Sequence, residues 1–190
     1  TTIADNPNTL AKTGYFWDGW NNQSNGKGTN YSANSDLLGL PQPYMRYVAG
    51  DYNASTKVWV DSSGNGRNAT SVRGTPTKTT SGAVNGFDKN FTTIRGTTSS
   101  GITLPNPKLN EYTLCFVARY AGATRARIFE ALSENWLSGF LEGDNSGVAH
   151  HNAWITSSTG TKGDINWNIA CDSGDTFRFN GVNKSTAVST

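Results

Sequence analysis

The sequence predicts an all-β protein whose strands form an antiparallel β-sandwich, and three observations support this prediction. Gly, Asn, Ser and Thr supply 84 of the 190 residues, a combination that favours turns and short strands. Aromatic residues make up 11% of the chain, whereas disordered chains are poor in them. Short apolar stretches recur about every ten residues with turn residues between them, which is the spacing of strands in a sandwich.

The chain divides into a polar N-terminal arm, residues 1–43, and a sandwich, residues 44–190. Gly, Asn and Pro interrupt the arm, which contains one aromatic cluster, Tyr15–Trp20. Only 16% of residues are charged and the net charge is +2, which argues against a nucleic-acid partner. No stretch reaches the roughly eighteen apolar residues of a membrane span.

Four short strands are predicted in the first half of the sandwich. They are Met45–Tyr52, Val58–Val60, Asn90–Arg95 and Ile102–Leu104. Polar Thr, Ser and Gly segments at 71–83 and 96–101 flank the third of them.

The clearest strand is Tyr112–Tyr120. Because side chains alternate across a strand, one face carries Tyr112, Leu114, Phe116, Ala118 and Tyr120. The other face carries Thr113, Cys115, Val117 and Arg119. A segment of this kind belongs in the middle of a sheet.

Residues 127–143 fit two patterns. Apolar residues recur every four positions, as in an amphipathic helix. The alternative is a hairpin, with strands Arg127–Leu132 and Trp136–Glu142 and a further turn at Asp144–Gly147. Gly139 would weaken a helix by about 1 kcal/mol, so we expect strands. Val148–Ile155, Ile165–Cys171 and Asp175–Phe179 complete the predicted set.

The loop from Asp61 to Thr70 is predicted to be a corner between strands. Gly64 and Gly66 suit left-handed backbone, and Asp61 suits a turn in which its side chain accepts backbone hydrogen bonds. A phosphate site is disfavoured, since a helix start and a Lys are missing. Calcium is a weaker alternative, with Asp61, Asn65 and Asp144 as candidate ligands. The cofactor prediction is therefore none, with calcium left open.

Two cysteines, Cys115 and Cys171, leave two alternatives. They pair if their strands are neighbours, or they are two small buried apolar residues, which the sequence favours.

Several short motifs in this order resemble the laminin-G-like, concanavalin A-like jelly-roll superfamily. They are Trp59–Thr70, Tyr112–Leu114, Arg127–Phe129, Asn135–Gly139, Trp154–Ile155 and Phe177–Gly181. The particular residues of these motifs also resemble those of domains in surface proteins of large algal DNA viruses. The resemblance implies a jelly roll and a place on a virion or cell exterior. Relatives carry further strands after the last turn, so we expect the arm, a partner chain or a further C-terminal segment to cover an open sheet edge.

The function that these residues favour is lectin-like, non-enzymatic carbohydrate binding. Sugars bind to aromatic faces flanked by amides and carboxylates. Two segments offer this mixture, and the candidate ligand-binding residues are Trp17, Asp18, Trp20, Asn21, His151, Asn152 and Trp154. The expected partner is a glycan or host-surface polysaccharide. For the strand residues Trp136, Trp154 and Trp167, the sequence favours packing inside or at the edge of the sandwich over ligand binding.

Two other functions remain open. One is a structural capsid or coat module that packs against other coat subunits. The second is a polysaccharide-degrading enzyme, which the sequence disfavours because no paired carboxylates of a glycosidase are evident and no catalytic residue is predicted. His150 and His151 point to opposite faces of a strand, so at most one of them reaches a given site.

Overall fold

The computed structural model describes residues 20–21, 30–31, 43–82, 90–105 and 111–186. The chain forms two compact units, Thr1–Tyr44 and Met45–Thr190. In the first unit, β1 (Trp20–Asn21) pairs with β2 (Asn30–Tyr31) in an antiparallel ribbon.

The second unit is all-β over the residues that the structure describes, where no helix occurs and every strand pair is antiparallel. Its first six strands are β3 (Tyr47–Asn53), β4 (Val58–Asp61), β5 (Ser71–Arg73), β6 (Thr77–Ser81), β7 (Phe91–Arg95) and β8 (Gly101–Thr103). The next four are β9 (Leu114–Ala118), β10 (Phe129–Glu130), β11 (Trp136–Leu141) and β12 (Asn145–His151). The last four are β13 (Thr161–Lys162), β14 (Asn168–Ser173), β15 (Thr176–Phe179) and β16 (Val182–Asn183).

Two four-stranded sheets share one hydrophobic core. Their strand orders are β10-β11-β12-β13 and β16-β15-β14-β9. Core side chains come from both sheets and are Phe116, Ala118, Tyr120, Phe140, Ala149, Ala170, Phe177 and Phe179. This arrangement is consistent with a β-sandwich, so the predicted all-β, antiparallel class is confirmed at that level.

The alternation predicted for the Tyr112–Tyr120 segment is confirmed, but the expectation that it lies in the middle of a sheet is wrong, because β9 is the edge strand of its four-stranded sheet. Phe116, Ala118 and Tyr120 are buried, whereas Val117 on the opposite face is half exposed. The hydroxyl of Tyr120 donates to the carbonyl oxygens of Leu141 and Asn145, which satisfies its polar end inside the core.

Residues 127–143 form strands, as expected from the hairpin pattern. The pairing of β11 with β12 is irregular at Gly139. The pairing register of β11 with β12 shifts between Gly139 and Phe140, and Gly139 has a φ of 84°. Gly139 pairs with Val148 and Phe140 pairs with Ser146, so the extra residue of this bulge is Gly147 in β12.

Three further expectations about strands and turns are wrong. Segment 71–83 is not only a polar connection, because it contains β5 and β6, which pair with β8 and β7. Both faces of β6 are largely exposed, so its sequence lacks the alternation that marks a half-buried strand. The turn expected at Asp144–Gly147 lies at residues 142–144, because Gly143 and Asp144 take the positive φ values, 73° and 69°. Strand ends differ from the predicted ones by up to four residues, as at β12.

Cys115 and Cys171 form a disulfide. They face each other across β9 and β14, on the outer side of the sheet. The favoured alternative, two unpaired buried cysteines, is therefore wrong. The sequence could not exclude it, because that requires knowing which strands are neighbours.

The Asp61 loop is a corner built around one buried carboxylate. Trp59 and Ala69 exchange two backbone hydrogen bonds, of 2.8 and 2.9 Å, which close the loop. The Asp61 carboxylate accepts from the backbone N–H groups of Arg46, Ser63 and Arg67 and from the Ser63 hydroxyl, at 2.8–3.0 Å. Gly64 and Gly66 have φ values of 87° and 69°, as expected. Burial alone would raise the pKa of Asp61, but the four hydrogen bonds outweigh it and hold the pKa well below its ordinary value.

Replacing Asp61 by Asn is expected to lower the free energy of unfolding at pH 7 by about 2 kcal/mol, since hydrogen bonds to a charged group are lost. The pKa of Asp61 is lower in the folded state than in the unfolded state, so its ionised carboxylate stabilises the fold at any pH above the unfolded-state pKa. This contribution is lost as the pH falls toward the folded-state pKa. Urea unfolding at pH 7 and pH 3 should therefore show the two proteins converging in acid. An equal gap at both pH values would contradict this account of the corner.

Candidate functional site

One end of the β11–β12 hairpin brings two separate segments together. β11 begins at Trp136 and β12 ends at His151, and these residues pair across the hairpin. The residues just before β11 therefore lie beside the residues just after β12. We call this group the hairpin-end site and define it as Glu134, Asn135, His150, Asn152 and Trp154.

A tight backbone reversal fixes the second segment. The N–H of His151 donates to the carbonyl oxygen of Ala153 at 2.8 Å, and His150 forms an isolated antiparallel bridge with Trp154. Asn152 lies at the apex with a φ of 59°, a left-handed conformation that Asn tolerates better than most residues. The N–H of Asn152 donates to the carbonyl oxygen of Asn135 at 3.1 Å, which joins this segment to the one before β11.

Trp154 is the aromatic centre of the hairpin-end site. It is 39% exposed, and its ring meets the His150 ring edge-on, with centroids 4.9 Å apart at 81°. His150 Nδ1 lies 2.7 Å from the carbonyl oxygen of Asn135. Since a carbonyl oxygen only accepts, Nδ1 carries the proton in this contact. The ring supporting Trp154 is thus held by a hydrogen bond as well as by packing.

Polar groups flank the exposed indole. The side chains of Glu134, Asn135 and Asn152 are exposed, and Asn152 Nδ2 lies 3.4 Å from Glu134 Oε2. The site therefore offers an aromatic surface, amide donors and acceptors, and a carboxylate at one place. This combination can bind a sugar through its C–H face and its hydroxyl groups.

A buried polar cluster lies on the inner side of the same hairpin end. We define the inter-sheet cluster as Tyr112, Trp136, His151 and Asp172. The rings of Trp136 and His151 are stacked, with centroids 5.3 Å apart at 12°. His151 Nε2 lies 3.0 Å from Asp172 Oδ2, and Asp172 is fully buried on β14 of the other sheet. The contact therefore connects the two sheets directly below the exposed loop.

Tyr112 completes the inter-sheet cluster. Its hydroxyl accepts the indole N–H of Trp136 at 3.1 Å and lies 3.5 Å from Asp172 Oδ1. Burial and the nearby charge of Asp172 raise the pKa of Tyr112 to about 12. Tyr112 therefore stays protonated at neutral pH and can donate to the carboxylate.

The structure separates the candidate residues predicted from the sequence. Asn152 and Trp154 lie together in the hairpin-end site. The side chain of His151 is only 13% exposed and points to Asp172, so His150 is the histidine beside Trp154. Trp17 and Asp18 lie outside the described residues, and Trp20 and Asn21 are described only as the backbone of β1. The role of the arm in ligand binding stays a prediction.

The three strand tryptophans differ in how far they are buried, which bears on whether each packs in the sandwich or is available to a ligand. Trp136 is buried, as expected for a packing residue. Trp167 is partly buried, with the Arg119 guanidinium 5.2 Å from the centre of its ring. Trp154 differs from both because more than a third of it is exposed.

Each of the candidate calcium ligands already has hydrogen-bond partners within the protein. Among the described residues, no group of three or more His, Cys, Asp or Glu side chains could hold a metal ion. Asp61 accepts the four hydrogen bonds of the corner, and Asn65 Nδ2 lies 3.2 Å from the Ser63 hydroxyl. Asp144 pairs with Arg125 and accepts the N–H of Gly163 at 2.9 Å. Calcium binding stays an untested prediction.

Glu134, Asn135 and His150 are not among the ligand-binding residues predicted from the sequence. The signal that could have found them is the hairpin itself, because antiparallel pairing of Trp136 with His151 places both flanking segments at one end. Sixteen residues of sequence separate the two segments, and without the pairing register nothing in the sequence shows that they lie side by side.

No family model, curated protein or solved structure matches this chain. The laminin-G-like resemblance therefore stays a prediction. Over the part of the chain that the structure covers, no helix is long and apolar enough to cross a membrane.

Proposed function

We propose that the chain is a non-enzymatic carbohydrate-binding module that attaches to glycans on an exterior surface. The observation that carries the proposal is the exposed face of Trp154 in a fixed loop with exposed amides and a carboxylate beside it. Indole faces bind the apolar C–H surface of sugars, while amide and carboxylate groups bind the hydroxyls. The proposal includes the finer fold, a concanavalin A-like jelly roll, and a location outside the cell or on a virion.

Rigidity is the second argument. A binding loop that is already ordered loses little conformational entropy when a ligand arrives. Backbone hydrogen bonds fix residues 150–154, and the inter-sheet cluster holds the strand from which they leave. The disulfide between β9 and β14 is in keeping with an oxidising, extracellular environment.

Replacing Trp154 by Ala is expected to weaken glycan binding about tenfold or more, since an aromatic anchor at the centre of a site carries a large share of the binding energy. A glycan array screened with the wild-type chain identifies a ligand, and calorimetry with that ligand measures the loss. Ile169→Ala is the matched control, because Ile169 is 54% exposed on the outer face of the other sheet. It should bind like the wild type.

The same array separates the other functions. Trp17→Ala and Trp20→Ala test whether the arm contributes to binding. Stable self-assembly without binding to any glycan would favour the coat role. Depolymerisation of a bound polysaccharide, abolished by Glu130→Gln or His151→Ala, would favour an enzyme.

A further inference from the structure

A cavity borders the chain that follows Trp154. Its volume is about 270 Å³, and its lining includes Gly147, Ser157, Thr159, Thr161, Phe179 and Lys184. Small-molecule sites occupy roughly 300–1,000 Å³, so the cavity suits a single sugar ring or a sugar substituent. Ser157 follows Trp154 by three residues, which limits their Cα atoms to a separation of about 10 Å. One extended glycan could therefore reach both places.

Glycine shapes the cavity wall. Gly147 has a φ of 79°, and a Cβ at that position would lie 3.2 Å from the Phe179 ring. A Cβ at Gly160, which also lines the cavity, would lie 2.1 Å from the carbonyl oxygen of Ser146. Any side chain at Gly160 would force the two segments apart, so the cavity depends on this close approach.

The residues that line the cavity include several Ser and Thr residues and one basic residue, Lys184, which is exposed. The Ser157 and Thr159 hydroxyl oxygens lie 3.1 Å apart. Asp164, the acidic residue that is hydrogen-bonded to the lining residue Ser146, also accepts from Asn166 and Asn168. The Lys184 ammonium makes no hydrogen bond or ion pair with the residues that the structure describes. An unmatched cation beside hydroxyl donors is suited to an anionic group.

The backbone holds Lys184 at the cavity. Its N–H donates to the carbonyl oxygen of Phe177 at 2.9 Å, and the N–H of Thr186 donates to the carbonyl oxygen of Ile155 at 2.8 Å. These bonds attach the segment after β16 to β15 on one side and to the chain that follows Trp154 on the other. The fold thus fixes the backbone of Lys184 beside the cavity, and the bond to Ile155 ties this segment to the chain that follows Trp154.

We propose that this cavity binds the acidic substituent, a sulfate ester or a carboxylate, of a glycan whose neighbouring sugar lies on Trp154. The proposal rests on the proposed function, because the two places are read as subsites for one glycan. The two subsites recognise different chemistry: the hairpin-end site binds a sugar ring, whereas the cavity selects for negative charge.

The test is calorimetry with three oligosaccharide sets of equal length: sulfated galactan, the same galactan after desulfation, and oligogalacturonate. We expect the wild type to bind at least one acidic set about tenfold more tightly than the neutral set, as one charged hydrogen bond would give. The set that shows the gain tells whether sulfate or carboxylate is the natural group. Lys184→Ala should remove the gain and leave binding of the neutral set unchanged, and Lys184→Arg should restore it.

Lys162→Ala is the matched control, since Lys162 is also exposed and lies next to the lining residue Thr161. It should keep the preference for acidic sugars. Equal binding of all three sets, or a preference that survives Lys184→Ala, overturns the cavity proposal while sensitivity to Trp154→Ala still supports the hairpin-end site. If the wild type binds none of the three sets, the cavity proposal is overturned for these acidic groups, and the wider array decides the fate of the hairpin-end site.

Discussion

Replacing Asp172 by Ala is expected to lower the free energy of unfolding by about 3 kcal/mol, because two buried hydrogen-bonding groups lose their carboxylate acceptor. Asp172 is fully buried, and its carboxylate is the acceptor for the His151 ring, 3.0 Å away. The change leaves that ring and the Tyr112 hydroxyl without this acceptor inside the sandwich. Urea unfolding followed by tryptophan fluorescence measures the loss, and Trp136 is a direct reporter because it stacks on His151.

Asp175→Ala is the control for this prediction. Asp175 lies in the exposed turn between β14 and β15, so its loss should change stability by no more than about 0.5 kcal/mol. If Asp172→Ala were as stable as Asp175→Ala, the inter-sheet cluster would not connect the two sheets. Weaker glycan binding by a folded Asp172→Asn variant would further show that the cluster positions the loop above it.

Replacing Gly139 by Ala is expected to cost about 3 kcal/mol through two separate effects. Left-handed backbone costs a residue with a Cβ roughly 1–2 kcal/mol. In addition, the Cβ would lie 2.8 Å from Phe116 Cζ, a contact that forces the core to shift and costs about 1–3 kcal/mol. Thermal or urea unfolding of the variant measures the sum.

Gly174→Ala isolates the backbone effect. Gly174 has a φ of 66°, and a Cβ there would meet nothing within 4 Å. It should therefore lose only about 1–2 kcal/mol, and the difference between the variants gives the cost of the contact with Phe116. Equal losses would mean that β11 does not pack against β9 as closely as the structure shows.

Local chemistry was sufficient to predict several parts of the fold. Alternation from Tyr112 to Tyr120 identified the inner and outer faces of β9, and Gly139 favoured strand over helix in the next segment. The Asp61 corner was predicted from turn chemistry, since Ser63 and Arg67 donate to Asp61 from within the loop, although Arg46 also donates to it from outside the loop. Each of these features depends mainly on neighbours within a few positions.

Features that depend on strand register could not be predicted. The sequence did not show that Cys115 opposes Cys171, because this requires β9 and β14 to be neighbours. Similarly, His151 was predicted to bind ligand, whereas its partner Asp172 comes from another sheet. β6 was missed because its Thr-rich sequence is exposed on both faces.

The candidate site was predicted in part. Trp154 and Asn152 were identified by composition, since an aromatic residue next to an amide is the chemistry that sugars need. The supporting groups, His150, Glu134 and Asn135, became evident only from the hairpin, because they belong to two segments that meet through pairing.

The most direct test of the central proposal is an NMR titration of the indole N–H signals with the best glycan from the array. The chain has six Trp residues, so six such signals report on separate places. The proposal predicts that the Trp154 signal and the Asn152 amide shift most and in proportion to saturation, with saturation transfer from the Trp154 ring to the sugar. Shifts confined to Trp59 and Trp167, with Trp154 and Asn152 unchanged at full saturation, would contradict it.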